Sequence, residues 1–240
     1  MARHGISAPA SPLILAIENS SMCGSVAIVS PNLCLGELSI TSSITHSKRL
    51  LDSIDTILNN VDLNLNDIDA IAVSLGPGSF TGVRIGLTTA KGLALATGKP
   101  LIGINSLIAL ASQVPCSNDL ICSMLDARKK EVFAAFYKKN SLGTVMQSGN
   151  FLSVAPAILC DAISEPVIFV GDGALLYKSE IEERTGRFAT FAPHEICFPR
   201  ASATGMLALS HWTSGSFLNP AEASPIYVRP SDAEINYRKK

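Results

Sequence analysis

The segment Gly76-Pro77-Gly78-Ser79-Phe80-Thr81-Gly82 is the densest chemical signal in the chain. Glycines and small hydroxyls at the start of a helix leave backbone N–H groups free to hold an anion. The spacing is not that of a P-loop or of G-x-G-x-x-G. Ser79 directly follows Gly78, so it is not a nucleophile elbow either. Two readings stand: a seat for phosphate, or a tight connection whose glycines serve conformation and close packing. Carboxylates recur at turns in Glu18-Asn19-Ser20-Ser21, Asp126-Ala127-Arg128-Lys129-Lys130 and Gly171-Asp172-Gly173-Ala174. If Glu18, Asp126 and Asp172 face one cleft, they could supply acid–base pairs. Metal ligands are scarce. The histidines are His4, His46, His194 and His211, and the residue one turn after His46 is Leu50, so no H-x-x-x-H pair exists. No metal site of the chain's own is expected. The six cysteines form no C-x-x-C pair, which suits core thiols in a reducing cytoplasm.

These groups must be positioned by the elements around them. Leu13 to Ile17, Gly24 to Val29 and Leu33 to Ile40 read as three strands joined by tight turns. From His46 the period changes: Leu50, Leu51, Ile54, Ile57, Leu58 and Val61 share one face of a helix with Thr45 as its N-cap. Lys48, Arg49, Asp52, Asp55 and Thr56 form the opposite, solvated face. Ile68 to Leu75 is a strand buried on both sides. A helix over about Thr81 to Thr97 follows, then a strand at Leu101 to Ile104 and a third helix. Gly82, Gly86, Ala90 and Ala94 make a stripe of minimal side chains on the second helix. Its partner is either a helix of the same subdomain or another subunit.

The second half starts again in the same manner. Strands are expected at Leu120 to Leu125, Val132 to Tyr137, Thr144 to Ser153 and Pro166 to Val170, with a helix near Leu175 to Glu183. Glu18 and Asp126 take equivalent places, as do the glycines at Gly76 and Gly171. Alternating strands and helices mean an α/β fold. The duplication predicts two tandem subdomains across a cleft, the arrangement of sugar kinases and actin-like ATPases. The expected division is a disordered extension (1–11), a first subdomain (12–110), a smaller, degenerate second one (111–230) and a tail (231–240).

With 19 basic and 20 acidic residues, the chain has no charge excess for binding nucleic acid unaided. Hydrophobic residues at 47% exclude a disordered chain. No apolar run approaches the roughly 20 residues of a membrane span, and the N-terminus lacks a signal-peptide core. Charged residues are only 16%, so apolar surface is expected to be hidden against a protein partner.

The chain resembles the TsaB (YeaZ) family of tRNA threonylcarbamoyladenosine biosynthesis. The resemblance rests on Leu13 to Ile17 with its polar turn, Cys23 to Ala27, and above all GPGSFTGVRIG over Gly76 to Gly86. Gly92 to Leu95, Ile102 to Leu107, Asp126-Ala127-Arg128 with Glu131-Val132, and Pro225 to Arg229 also fit. It implies an actin-like ATPase, RNase H-like fold. It also implies a cytoplasmic, non-catalytic subunit, not a protease, that supports transfer of threonylcarbamoyl to adenosine 37 of tRNA. The implied partners are a TsaD-like catalytic subunit and a TsaE-like ATPase, with tRNA met mainly through them, and a second copy when alone. ATP or ADP and a metal are implied on those partners and no cofactor on this chain. The family's use of its first two helices for pairing makes His46, Leu50, Asp52, Ile54, Gly82, Gly86, Ala90 and Ala94 the expected interface. Glu18, Asn19, Ser20, Gly76, Gly78, Ser79, Asp126, Gly171 and Gly173 would be vestiges of nucleotide loops. The first turn usually begins with Asp in this family, and here Glu18 stands in its place. The alternative is an independent ATP-binding phosphotransferase of the same fold.

Overall fold

The computed structural model describes residues 11–41 and 47–228. Strands β1 (Ile14–Glu18), β2 (Cys23–Ser30) and β3 (Leu33–Thr41) form an antiparallel meander. β4 (Ala70–Ser74) and β5 (Leu101–Ile104) extend it in parallel from the other side of β1, giving the order β3-β2-β1-β4-β5. The second sheet contains β6 (Leu120–Asp126), β7 (Val132–Lys139), β8 (Val145–Val154), β9 (Val167–Val170) and β10 (Ala189–Phe191). Its order, β10-β9-β6-β7-β8, is that of the first sheet read from the other edge. The internal duplication is therefore topological. Each sheet has five strands, so the second unit is not the smaller one in its sheet.

Helices α1 (Ser47–Asn60) and α2 (Phe80–Thr97) cover one face of the first sheet. There they pack on Leu15, Ile17, Val26, Ile28, Ile71 and Val73. The alternate residues Ile14, Ala16, Ala27, Val29, Ala70 and Ala72 face α7 (Ala201–Ser214) on the other side. Side chains alternate along a strand, so a sheet covered on both faces reads as unbroken apolar runs.

Several expectations need correction. The division at residue 110 falls inside α3 (Ser106–Gln113), which packs on β6, β7 and β8, while α7 returns to β1 and β2. Each unit thus lends a helix across the linear boundary. The single helix expected near 175–183 is two, α5 (Asp172–Leu176) and α6 (Lys178–Thr185). Tyr177 (φ −107°, ψ 19°) leaves helical geometry between them. In α1, Leu51 is exposed, because the helix turns it past the edge of the core, and Arg49 is half-buried rather than fully solvated. Four cysteines are buried as expected, but Cys34 is half-buried and Cys116 is exposed in the turn before β6. A further short helix, α4 (Pro156–Asp161), follows β8. No helix among the described residues is long and apolar enough to cross a membrane. Thr45, His46, Arg229, the tail and all of the N-terminal extension except Ser11 lie outside the described residues.

Candidate functional site: a cleft between the duplicated turns

The glycine-rich connection is built directly on the β1–β2 turn. Ser79 caps α2, its Oγ accepting from Gly82 N at 3.2 Å. The Ser79 N–H in turn donates to Ser20 O at 2.6 Å. A Cβ on Gly78 would overlap the Ser20 carbonyl, and one on Gly82 would overlap the Asn19 carbonyl. Asn19 Nδ2 donates to Gly82 O at 2.9 Å, tying the turn to the first turn of α2. Close backbone approach thus accounts for both glycines. Gly171 and Gly173 have the same explanation in the second unit, where a Cβ would crowd Met124 and Leu125 of β6.

The two sets of turns enclose a cleft of about 550 Å³. Its walls are Ser20 to Met22, Pro77 to Thr81, Leu125 to Arg128, Asp172, Leu176 and Pro225 to Val228. Of the expected nucleotide-loop residues, Ser20, Gly78, Ser79 and Asp126 line it. Glu18, Asn19, Gly76, Gly171 and Gly173 do not line it.

Glu18 does not join Asp126 and Asp172, because it is sealed in the core. Its Oε1 accepts from Ser20 N and from Ser74 Oγ, each at 2.8 Å, and its Oε2 from Thr204 Oγ1 at 3.2 Å. Burial raises its carboxyl above the ordinary value of 4.5, and the hydrogen bonds only partly oppose this. The folded chain therefore holds this proton more tightly than the unfolded chain. Its contribution to stability is complete below about 4.5 and is lost as pH rises through the folded value. Glu18→Gln keeps the shape and removes the buried charge. Thermal unfolding followed between pH 4 and 8 should show a flatter pH profile than the parent and no loss of stability at pH 7. A steeper profile, or a lower Tm at neutral pH, would show that the ionised carboxylate stabilises the fold.

Asp126 and Asp172 do share the cleft. The Asp126 N–H donates to Asp172 Oδ1 at 3.0 Å. Asp126 itself accepts from Arg128 N at 2.8 Å and pairs with the Arg128 guanidinium at 3.2 Å. Burial pushes the Asp172 carboxyl up, and the neighbouring Asp126 charge adds to the rise. Both carboxylates are therefore already engaged in holding the β6–β7 turn to α5. The rim is apolar, with Met22, Phe80, Leu176 and Tyr227 exposed around it. Arg84 lies 3.7 Å from the Phe80 ring centroid and donates to the Tyr227 hydroxyl at 2.9 Å. Motif spacing alone missed the wall at residues 225–228, although Pro225 to Arg229 carries part of the family resemblance. Ile226 N donates to Leu75 O at 2.7 Å, which seats this wall beside the glycine loop. Among the described residues, no group of three or more His, Cys, Asp or Glu could hold a metal ion.

The expected interface residues are placed differently from the expectation. Leu50 and Ile54 are buried in the first core. Gly82, Gly86, Ala90 and Ala94 face the chain's own sheet rather than a helix. A Cβ on Gly86 would stand 3.2 Å from Asn19 Cβ and 3.7 Å from Ile17. The stripe therefore lets α2 lie close on β1 and β4. Asp52 is exposed, and His46 is outside the described residues. What the outer faces of α1 and α2 offer is Leu51 at 58% exposure and Leu95 at 68%.

The family model that matches is TsaD, tRNA N6-adenosine threonylcarbamoyltransferase, over residues 40–237. The Bacillus subtilis protein TsaB is 32% identical over 232 residues, spanning 93% of this chain and 97% of that one. The Escherichia coli TsaB is 28% identical, spanning 90% of this chain and 94% of its own length. The solved structure of YeaZ from Pseudomonas aeruginosa superposes with a TM-score of 0.78 at 25% identity, covering 90% of this chain and all of that one. Two mixed sheets of one strand order, with this match, make the fold an α/β actin-like one. With a relative above 30% identity that it spans nearly end to end, the chain belongs to the TsaB family of tRNA threonylcarbamoyladenosine biosynthesis proteins.

Proposed function

We propose that the chain is a non-catalytic cytoplasmic subunit that pairs with a TsaD-like catalytic subunit and, through it, works with a TsaE-like ATPase. It supports threonylcarbamoyl transfer to adenosine 37 of tRNA and pairs with itself when alone. Nucleotide and metal belong to the partners. The observation that carries this reading is the pair of exposed leucines, Leu51 and Leu95, on neighbouring helices that cover one face of the first sheet. A contiguous exposed apolar patch marks a contact site, and we read the two leucines as parts of one. The engagement of Asp126, Asp172 and Glu18 in holding turns supports the non-catalytic role. Reconstitution from purified components tests it. Modified tRNA should form with this chain present and fall to background without it. An equal rate without it overturns the reading.

A cleft of about 550 Å³ at the N-terminus of α2 favours the second reading, an independent ATP-using phosphotransferase. Calorimetry of the isolated chain with ATP and magnesium separates the two. Saturable binding with turnover sustains the phosphotransferase, and a flat titration removes it.

A further inference from the structure

The cleft wall at Pro225 to Val228 ends a strap that is tied to α2 and β4. Lys91 Nζ donates to Ala223 O at 3.1 Å and the Arg84 guanidinium to the Tyr227 hydroxyl at 2.9 Å. Ile226 N donates to Leu75 O at 2.7 Å, directly after β4. These ties fix where the described residues end: at Val228, on the wall of the cleft. Arg229 to Lys240 continue from that point.

Two features of the cleft call for a covering group. Ser20 is buried in its wall, and among the described residues its Oγ has no hydrogen-bond partner. Buried hydroxyls are seldom left so, because desolvation without a partner is unfavourable. Met22 of the first unit and Leu176 of the second stand exposed on walls built by different sheets. An apolar cleft of about 550 Å³ suits a segment that brings large apolar side chains and backbone carbonyls together. The sequence after Val228 is such a segment. Ile235 and Tyr237 stand two apart, on one side of an extended chain. Arg229, Arg238, Lys239 and Lys240 outnumber Asp232 and Glu234. The ionisable residues that line the cleft are Asp126, Arg128 and Asp172, one more acid than base, so the signs are complementary. An extended chain advances at most about 3.5 Å per residue, so Ile235 lies within about 24 Å of Val228, enough to cross the cleft and turn back. Attachment to the wall makes docking intramolecular, at an effective concentration on the order of mM, so a contact of modest affinity suffices.

We infer that residues 229–240 dock back into the cleft, with Ile235 and Tyr237 filling its apolar part between Met22 and Leu176. The inference goes beyond the subunit reading and stands or falls apart from it, and it fills the cleft that the phosphotransferase reading needs open. Hydrogen exchange of the full chain, read by mass spectrometry, tests it. The amides of 232–238 should exchange at least about tenfold more slowly than in an unstructured peptide. The M22K/L176K variant alters two exposed side chains, so it should melt with the parent. It removes the apolar contact and sets like charge against the basic segment, so its 232–238 amides should exchange at the unprotected rate. The I235D/Y237S variant leaves the described residues unchanged and should speed exchange in the cleft walls at 20–22 and 78–81. Unprotected amides at 232–238 in the parent overturn the inference. So does protection that survives M22K/L176K, since the segment would then dock elsewhere. Protection that is lost on dilution of the protein also overturns it, since a second copy would then be the docking site.

Discussion

Gly82→Ala should destabilise the chain by about 2 kcal/mol or more, whereas Gly92→Ala, ten residues on in the same helix, should stabilise it by about 0.5–1 kcal/mol. Both changes give α2 a better helix former. They differ in what the new methyl meets. At Gly82 it would overlap the carbonyl oxygen of Asn19, a backbone atom at the end of β1 that cannot swing aside. The same turn carries the Asn19–Gly82 and Ser79–Ser20 hydrogen bonds, so moving it disturbs the anchor between α2 and the β1–β2 turn. At Gly92 nothing lies within 4 Å and the position is exposed. For a domain of this size each kcal/mol shifts Tm by about 2–4 °C. The pair should therefore move in opposite directions, about 4–8 °C down and about 1–4 °C up, in a calorimetric scan. A Gly82→Ala variant that melts with the parent would mean that α2 does not sit on the turn as closely as described.

The contrast shows what periodicity carries and where it stops. The runs at β1, β4 and β5 and the two-face burial of the first sheet were legible, since an unbroken apolar stretch between turns has few other uses. So was α1, whose apolar face is broad. The Gly82–Ala94 stripe correctly reported close approach but not what approaches. Only the fold supplies that answer, because Asn19, which meets the stripe at Gly82 and Gly86, stands 63 residues before Gly82. Glu18 is the same case in the site. Its local pattern matches Asp126, and nothing nearby announces that Thr204, 186 residues later, closes over it. The exchange of α3 and α7 between the units hid the true packing boundary for the same reason.

Leu95→Glu should abolish pairing with a TsaD-like partner and with a second copy, while leaving the chain folded. Leu95 is 68% exposed on the outer face of α2, so the substitution removes no core contact, and its effect on stability should stay within about 0.5 kcal/mol. In a complex the same residue would be buried, and a carboxylate in an apolar contact has no partner to offset its desolvation. The expected loss is at least about 100-fold in affinity, or roughly 2.7 kcal/mol. Leu51→Glu on the adjoining helix should act in the same direction. Gly86→Arg, on the small-residue stripe, should instead unfold the chain, since that position faces Asn19 and Ile17. Co-elution on size exclusion, with circular dichroism of each variant, separates lost pairing from lost folding. Leu142→Glu is the control, since Leu142 is equally apolar and still more exposed but sits in the turn between β7 and β8 of the second unit. If Leu142→Glu breaks the pair and Leu95→Glu does not, the surface that hides this chain's apolar excess belongs to the second unit, and the outer faces of α1 and α2 are solvent surface.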